Sequence, residues 1–361
     1  MEAMPCDAVL YRKFQAFSRD GNLWNAIGDE CNVRVNDIPK QAAGNPVIFD
    51  SYVKAQSVLK QHENPVCSIS GGSDSDVMLD MMVRLDEDKR IQYVWFNTGL
   101  EYKATKEHLD YLEKEYHIEI LRIAAVKSVP VCVNTYGVPF VSKRVSDEME
   151  RLQRHGFKWE DEPYEILAER YPKCLCSIKW WCNKYEVVSG KTSSMWNINR
   201  NTWLKEFLTE HPPEFNISKK CCDYAKKATA KKVQKQGDLN IQGVRKSEGG
   251  VRAVSYKNCY SVGGKQDSYR PLFWYSDEDK REYKELFGLR HSDCYEVWGF
   301  KRTGCVGCPY SNNIAEELEI INQYEPNMYK ACMKIFGESY RYKQQYKDFQ
   351  KKCKDDVDAC K

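Results

Sequence analysis

The chain has 361 residues, of which 42% are apolar and 30% are charged, and its formal net charge is +3. This length suffices for one large domain or two ordinary ones, and the apolar share suffices for a substantial core. The near balance of charge argues against a protein that coats nucleic acid, and the lack of a long apolar run argues against a transmembrane helix or a membrane partner. The first residues do not have the pattern of a secretory signal, so we expect a cytoplasmic protein.

The cysteine content is high, with 16 cysteines in the chain. Without a secretory signal, they favour metal binding, an iron–sulfur cluster or thiol chemistry over a disulfide framework. Scattered cysteines are interpreted as small buried apolar residues, namely Cys6, Cys31, Cys132 and Cys332. Only the clustered cysteines therefore need a chemical explanation.

The predicted elements are most regular in residues 56–127, after an N-terminal extension assigned to residues 1–55. Three predicted strands alternate with two predicted helices, in the order VCSIS, SDVMLDMMVRL, IQYVWFNTG, EYKATKEHLDYLEKEY and IEILRIAA. This alternation predicts an α/β fold with a doubly wound, mostly parallel sheet. In such sheets the ligand lies beyond the carboxyl ends of the strands.

The later segments are predicted to be more helical. Residues 128–215 are interpreted as a helical insertion, residues 216–315 as a cysteine-rich part of the core that contacts substrate, and residues 316–361 as a peripheral helical tail. Within the second of these segments, KKCCDYAKKATAKKVQK at residues 219–235 predicts a basic helix.

The turn SGGSDS, between the first predicted strand and helix, has the composition of an anion-binding loop. Its glycines permit close backbone approach, and the following helix adds its dipole to the N–H groups. The candidate phosphate ligands are Ser70, Gly71, Gly72, Ser73 and Ser75. Asp74 would repel a bare phosphate, so we expect it to orient the loop or to meet Mg²⁺, with Asp76 as a second candidate. The alternative is an ordinary strand–helix turn.

This turn resembles the PP-loop of the adenine-nucleotide alpha-hydrolase superfamily, which includes ATP pyrophosphatases and the sulfonucleotide (PAPS and APS) reductases. FNTGLEYKAT, at residues 96–105, resembles the Asp/Asn-Thr-Gly motif of the reductase branch. The resemblance implies a bound adenine nucleotide, either ATP or PAPS/APS, with Thr98 and Gly99 beside the adenosine.

The clustered cysteines form three groups: Cys174, Cys176 and Cys182; the pair Cys221 and Cys222; and the C-x-x-C pair Cys305 and Cys308. A C-x-x-C turn is a two-thiolate clamp for a soft metal or cluster, and adjacent cysteines can ligate separate irons of a cubane. For the first group, packing around Trp180 and Trp181 is favoured, with a second metal or sulfur shuttling as the alternatives.

APS reductases and their relatives bind a [4Fe–4S] cluster through a Cys-Cys pair and a distant C-x-x-C, which this chain resembles. The resemblance implies that the cluster is held by Cys221, Cys222, Cys305 and Cys308, with zinc as the alternative. IQGVRKSEGGVRA, at residues 241–253, also resembles a segment of the family. Arg245 and Arg252 in this segment are candidates to neutralise charge on the leaving group, because a guanidinium fork matches an oxyanion.

The chain departs from true sulfonucleotide reductases at its C-terminal end. KKCKDDVDACK contains Cys353 and Cys360 but lacks the Glu-Cys-Gly-x-His-like motif of the reductase nucleophile. Acidic neighbours also disfavour a thiolate. The loop is closer to the Ser-Gly-Gly-x-Asp-Ser of ATP-using members, which include DNA phosphorothioation enzymes.

The leading hypothesis is therefore an enzyme of nucleotide-activated sulfur transfer or thiolation, with DNA or RNA as a candidate acceptor. A cysteine desulfurase or a thiol reductant is a candidate partner, and a homodimer is a candidate assembly because family members are often dimers. The alternatives are a PAPS or APS reductase that releases sulfite, a non-catalytic nucleotide sensor, and a zinc-stabilised nucleic-acid-binding protein.

Overall fold

A computed structural model describes residues 38–187, 194, 196–234, 237–249, 255–263 and 266–359. They belong to two compact units, of which the first comprises residues up to 97, 103–124 and 229–303. The second unit comprises residues 98–102, 125–228 and 304–361. Arg252, Cys6, Cys31 and Cys360 lie outside the described residues. The boundaries of the five segments assigned from the sequence stay a prediction.

The first unit contains a six-stranded sheet whose order is β3-β2-β1-β4-β6-β5. The strands are β1 (Pro65–Ile69), β2 (Gln92–Asn97), β3 (Ile120–Ala124), β4 (Leu239–Gln242), β5 (Tyr260–Ser261) and β6 (Asp267–Tyr269). Neighbouring strands pair in parallel, except for the antiparallel pair β5 and β6. The predicted α/β fold with a mostly parallel sheet is therefore confirmed.

The α-helices within the described residues follow in chain order, and the first seven of these are α1 (Pro46–Lys60), α2 (Ser73–Leu85), α3 (Lys103–Tyr116), α4 (Val129–Tyr136), α5 (Lys143–Arg154), α6 (Tyr164–Arg170) and α7 (Leu175–Trp181). The later ones are α8 (Leu204–Glu210), α9 (Lys220–Cys222), α10 (Thr229–Gln234), α11 (Asp277–Phe287), α12 (Asp293–Glu296), α13 (Ile314–Tyr324) and α14 (Pro326–Ala359). Among the described helices, none combines the length and the apolar character that a bilayer crossing requires.

The strand order reverses between β1 and β4, so the crevice beyond the carboxyl ends of these two strands is a topological switch point. In open α/β sheets, ligands bind at such a point. The register pairs Ser68 of β1 with Gln242 of β4. The segments that follow the two strands, one with the predicted phosphate loop and one with Arg245, therefore start side by side.

Apolar side chains cover both faces of the sheet. Cys67 and Ile69 of β1 join the main core of the unit, whereas Val66 packs with Val94 of β2 and Val233 of α10. Successive side chains of a strand point to opposite faces, so this division shows that the sheet is buried on both sides. Helix α1 begins within the predicted N-terminal extension, and its Ile48, Phe49 and Tyr52 belong to the main core.

The second unit has a helical core, to which α5, α7 and α8 contribute Met149, Trp180 and Phe207. Cys174 is buried in this core and Cys182 packs against it, so the packing interpretation is confirmed for these two cysteines. Cys176, by contrast, is exposed.

The predicted basic helix is present but is not a regular α-helix throughout. Helix α9 ends at Cys222 and continues as a π-helical turn, Asp223–Ala228, before α10 begins. Such π segments often occur at functional sites.

The predicted C-terminal helical tail is confirmed as helix, but its assignment to the periphery is wrong. Phe336, Ser339, Tyr342 and Tyr346 of α14 are buried. The rings of Tyr342 and Tyr346 lie 5.0 and 5.1 Å from that of Phe207, between ring centroids. These four positions recur every three or four residues, so they form one buried face of the helix.

Candidate nucleotide and cysteine sites

The predicted phosphate loop lies between β1 and α2. Gly71 has a φ of +68°, and a Cβ there would lie 2.6 Å from Cγ2 of Thr105, so the position requires glycine. Gly72 caps α2 and offers no side chain to bond the N–H groups of the first turn. The N–H groups at the start of a helix are effective ligands for an anion.

The serine hydroxyls of the loop accept hydrogen bonds. The N–H of Ser70 donates to Oγ of Ser75 at 3.2 Å, and the N–H of Gly72 donates to Oγ of Ser70 at 3.3 Å. Oγ of Ser73 accepts from Nζ of Lys280 at 3.1 Å. Each bond uses the hydroxyl oxygen as the acceptor, so the O–H group remains a donor that can meet a phosphate oxygen.

Two cations converge on the carboxylate of Asp74. Nε of Arg245 lies 2.9 Å and Nζ of Lys280 lies 3.0 Å from Oδ1 of Asp74. Arg245 is only 5% exposed, and its NH1 also pairs with Asp277 at 2.9 Å. The structure thus brings the predicted Asp74 and Arg245 together and adds Lys280. Lys280 is not among the predicted site residues, because SDEDKREY has the alternating charges of a solvated helix face.

Asp76, the second candidate for placing Mg²⁺, is buried and contacts two histidines instead. Its Oδ2 lies 2.7 Å from Nδ1 of His291 and 3.1 Å from Nε2 of His108. Burial alone would raise the pKa of Asp76, but the two histidines more than offset it, so the pKa is lowered. Neither histidine is among the predicted site residues. The one available signal was His108 within the apolar stripe of α3, beside Ala104, Leu109 and Leu112.

Thr98 and Gly99, predicted to flank the adenosine, belong to the second unit. The N–H and Oγ1 of Thr98 both donate to Oε1 of Glu101, at 3.1 and 2.6 Å. Oγ1 of Thr98 also lies 3.6 Å from Sγ of Cys305. The structure therefore groups Thr98 with a predicted cluster cysteine, and its contact with a nucleotide stays a prediction.

The predicted cluster ligands share one small cavity of the second unit. It is lined by Val129, Pro139, Cys221, Cys222, Lys226, Cys305, Cys308 and Phe336. Within the described ranges, no three His, Cys, Asp or Glu side chains are arranged to hold a metal ion. The structure therefore brings the four thiols to one cavity without gathering them around a single point.

The thiols and lysines of this cavity influence each other's charge. A hydrogen bond between Cys221 and Cys222 raises the pKa of Cys221 and lowers that of Cys222 to about 6, and Lys143 and Lys226 also favour the Cys222 thiolate. Burial raises the pKa of Cys305 and raises that of Cys308 to about 12. The cavity thus combines one thiol that ionises readily with three that resist it.

Of the two candidates for a reductase nucleophile, Cys353 lies within the described residues, on α14. Its partial burial and then the charges of Asp356, Glu210 and Glu206 raise its pKa. A raised pKa lowers the thiolate fraction at neutral pH, which disfavours nucleophilic attack.

Residues 64–155 match the family model described as the phosphoadenosine phosphosulfate reductase domain. The match contains β1, the loop, α2, β2, α3 and β3. The resemblance to the PAPS-reductase family that SGGSDS predicts is therefore confirmed over these residues.

An uncharacterized protein of Methanocaldococcus jannaschii is 27% identical over 175 residues, which are 46% of this chain and 34% of the relative. The chain thus spans about a third of the length of the curated relative that it matches.

Three solved structures resemble the chain remotely. The phosphoadenylyl-sulfate (PAPS) reductase of Candida auris, a phosphate complex, has 14% identity and a TM-score of 0.36, covering 70% of this chain and 87% of its own. The NH3-dependent NAD synthetase of Campylobacter jejuni has 12% identity and a TM-score of 0.31, and the match covers 82% of this chain and 94% of the synthetase. The U34-tRNA thiolase of Methanococcus maripaludis, with its [4Fe–4S] cluster, has 15% identity and a TM-score of 0.32, and the match covers 84% of this chain and 80% of the thiolase.

Proposed function

We propose that the chain binds ATP at residues 70–75 and uses it to activate an acceptor for sulfur transfer or thiolation. The observation that supports this most directly is the convergence of Arg245 and Lys280 on Asp74 beside the loop. Two cations next to the N-terminal end of α2 match the charge of a polyphosphate. A sulfonucleotide carries the same phosphate chemistry and is the competing ligand.

Asp74 has a second role in this proposal. When phosphate oxygens take Arg245 and Lys280 as partners, the carboxylate of Asp74 loses both cations. Asp74 would then be free to hold Mg²⁺, which would neutralise charge that develops on the phosphates. Arg245 would then stabilise the leaving pyrophosphate, because its guanidinium can bond two oxygens at once. Arg252, which lies outside the described residues, is also proposed to stabilise the leaving pyrophosphate.

The cysteine cavity of the second unit fits a [4Fe–4S] cluster by its donor set. Four thiols are the usual ligands of such a cluster, and each binds a different iron. The cavity supplies four thiols, which is that donor set. Cys221, Cys222, Cys305 and Cys308 would hold the cluster, which would supply electrostatic and structural support.

The reductase alternative receives less support from the chain. It needs a thiolate that attacks the sulfur of the bound sulfonucleotide. Cys353, on α14, has a raised pKa and acidic neighbours, which is the opposite of that requirement. We therefore propose activation by ATP, with DNA or RNA as the acceptor to be tested first because the loop resembles those of ATP-using family members.

The test is a purification without oxygen, followed by iron, zinc and sulfide analysis and by calorimetric titration of ATP, PAPS and APS. Binding of ATP with release of pyrophosphate in the presence of an RNA or DNA acceptor is the expected result. Selective binding of PAPS or APS with release of sulfite would replace the proposal by the reductase. Binding of none of the three would overturn the nucleotide site itself.

A further inference from the structure

We propose that Asp76, His108 and His291 form a positioning cluster that holds the phosphate loop in its anion-binding conformation. The proposal deepens the proposed function and rests on anion binding at the same loop. All three side chains are buried, with exposures of 2%, 4% and 6%. They come from α2, from α3 and from the segment just before α12, so the cluster joins three separate parts of the first unit.

Asp76 is connected to the loop through its backbone. Its N–H donates to the carbonyl of Gly72 at 3.1 Å, which closes the first turn of α2. Its side chain accepts a 2.7 Å hydrogen bond from Nδ1 of His291 and lies 3.1 Å from Nε2 of His108. A movement of the Asp76 carboxylate would therefore be transmitted to the first turn of the helix, which is the proposed anion site.

The two histidines lie three or four residues from the side chains that back the loop glycines. Thr105 precedes His108 by one turn of α3, and its Cγ2 would lie 2.6 Å from a Cβ at Gly71. Tyr295 follows His291 by four residues, and its hydroxyl would lie 3.1 Å from a Cβ at Gly72. Asp76 thus links the helix that follows the loop to both surfaces against which the loop packs.

The hydroxyl of Tyr295 is itself held in place. It lies 2.8 Å from Oγ1 of Thr303 and accepts a hydrogen bond from the N–H of Thr303 at 3.1 Å. Loop, histidine cluster and tyrosine therefore form one connected network within the first unit.

The three buried polar side chains of the cluster stabilise this part of the core less than apolar side chains would. Among the described residues, Oδ1 of Asp76 has no hydrogen-bond partner, and Nε2 of His108 has only its 3.1 Å contact with Oδ2 of Asp76. Buried polar atoms without partners destabilise a fold, and apolar side chains of similar size would avoid that cost. A buried carboxylate between two imidazoles is better explained by the precise placement that it imposes on the three elements.

The contact with Asp76 also determines the tautomer of His291. A carboxylate oxygen can only accept, so Nδ1 of His291 must carry the proton that is donated at 2.7 Å. A nitrogen NMR spectrum of the ligand-free protein can therefore report whether the cluster is formed, independently of any ligand.

The test compares Asp76→Asn with a matched control, Asp80→Asn. Asp80 lies one turn further along α2, is fully buried, and bonds Arg84, Tyr116 and Tyr283 outside the cluster. Both variants lose a buried carboxylate and should melt at lower temperature. Only Asp76→Asn is expected to speed hydrogen exchange of residues 70–75 in the ligand-free protein and to weaken inorganic pyrophosphate binding, each by about tenfold or more.

A rescue experiment separates positioning from general packing. His108→Gln keeps a side-chain N–H donor, whereas His108→Ala removes it. The first is expected to keep most of the slow loop exchange, and the second to lose it.

Unchanged loop exchange and pyrophosphate affinity in Asp76→Asn would overturn the positioning role, as would equal effects in Asp80→Asn. If the wild-type protein bound neither pyrophosphate nor ATP while Asp76→Asn still accelerated loop exchange, the nucleotide proposal would fail and the positioning of the loop would stand.

Discussion

Arg245 donates a 2.9 Å hydrogen bond from Nε to Oδ1 of Asp74, which lies 171 positions earlier in the chain. The pair exists because β4 lies next to β1 in the sheet, so the segments that follow the two strands meet. A buried guanidinium needs a partner, and Asp74 supplies it in the absence of an anion. An incoming phosphate must therefore compete with Asp74 for the same cation.

This competition predicts opposite effects of Asp74→Asn with and without magnesium. The variant frees Arg245 and Lys280, so pyrophosphate should bind at least as tightly as to the wild type without Mg²⁺, and up to about tenfold more tightly. With Mg²⁺ and ATP, turnover should be lost because the carboxylate ligand is gone. Calorimetry with and without Mg²⁺, together with a pyrophosphate-release assay, measures both effects.

Asp277→Asn is the matched control for this prediction. Asp277 also pairs with Arg245 at 2.9 Å, but its side chain is 87% exposed. An exposed ion pair contributes little, so this variant should stay within about threefold of the wild type in both assays. Weaker magnesium-free binding of pyrophosphate by Asp74→Asn would contradict the competition.

Lys280 is predicted to be a phosphate ligand, and its neighbour Arg281 is not. Nζ of Lys280 contacts both Asp74 and Ser73, whereas Arg281 pairs with Glu278 and Glu285 and is 61% exposed. Lys280→Gln should weaken pyrophosphate binding about tenfold or more, because it removes a cation from the loop. Arg281→Gln removes the same charge from the same helix and should leave the affinity within about twofold. Equal losses in the two variants would point to a general charge effect.

The phosphate loop could be predicted from sequence because its signal is local. Residues 66–76 contain a buried strand, two glycines and the start of an apolar helical face in one continuous stretch. Lys280 and His291 have no such local signal. Lys280 contacts Asp74, and His291 contacts Asp76, only because distant parts of the chain meet in the fold. From the local sequence, Lys280 resembles an ordinary surface residue and His291 an ordinary core residue.

The second unit shows a different limit of sequence analysis. The convergence of the four cysteines on one cavity was expected only from a family resemblance, since the spacing of Cys222 and Cys305 does not define their distance in space. The burial of α14 was missed because Phe336, Tyr342 and Tyr346 alternate with lysines, glutamines and arginines. Long basic side chains surround this apolar stripe, and the average composition therefore suggested a solvated helix.

The cysteine cavity leads to a prediction about metal content. Protein purified without oxygen should contain about four irons and four sulfides per chain, and Cys308→Ser should lose most of them. Cys176→Ser is the control, since Cys176 is exposed and lies apart from the residues that line the cavity. Iron and sulfide analysis with visible absorption spectra provides the measurement. Stoichiometric zinc in the wild type, or full iron content in Cys308→Ser, would overturn the cluster assignment.

The last prediction concerns the cap of α11, the helix that carries Lys280. The N–H and Oγ of Ser276 donate to Oδ2 of Asp279 at 2.8 and 2.6 Å, and the N–H of Asp279 donates back to Oγ of Ser276 at 3.1 Å. Nδ2 of Asn45 donates to the other carboxylate oxygen of Asp279 at 3.0 Å. Burial alone would raise the pKa of Asp279, but these hydrogen bonds more than offset it and lower the pKa.

A carboxylate with a lowered pKa stabilises the fold fully above its unfolded pKa, near 4, and loses this contribution as the pH falls through the folded value. Asp279→Asn should therefore reduce the free energy of unfolding by about 1 kcal/mol at neutral pH, and the difference from the wild type should shrink below about pH 4. Urea unfolding across this pH range measures the effect. Glu278→Gln, in the same first turn but 66% exposed, should change stability by less than about 0.5 kcal/mol throughout. A difference for Asp279→Asn that stayed constant with pH would show that the carboxylate charge does not stabilise this cap.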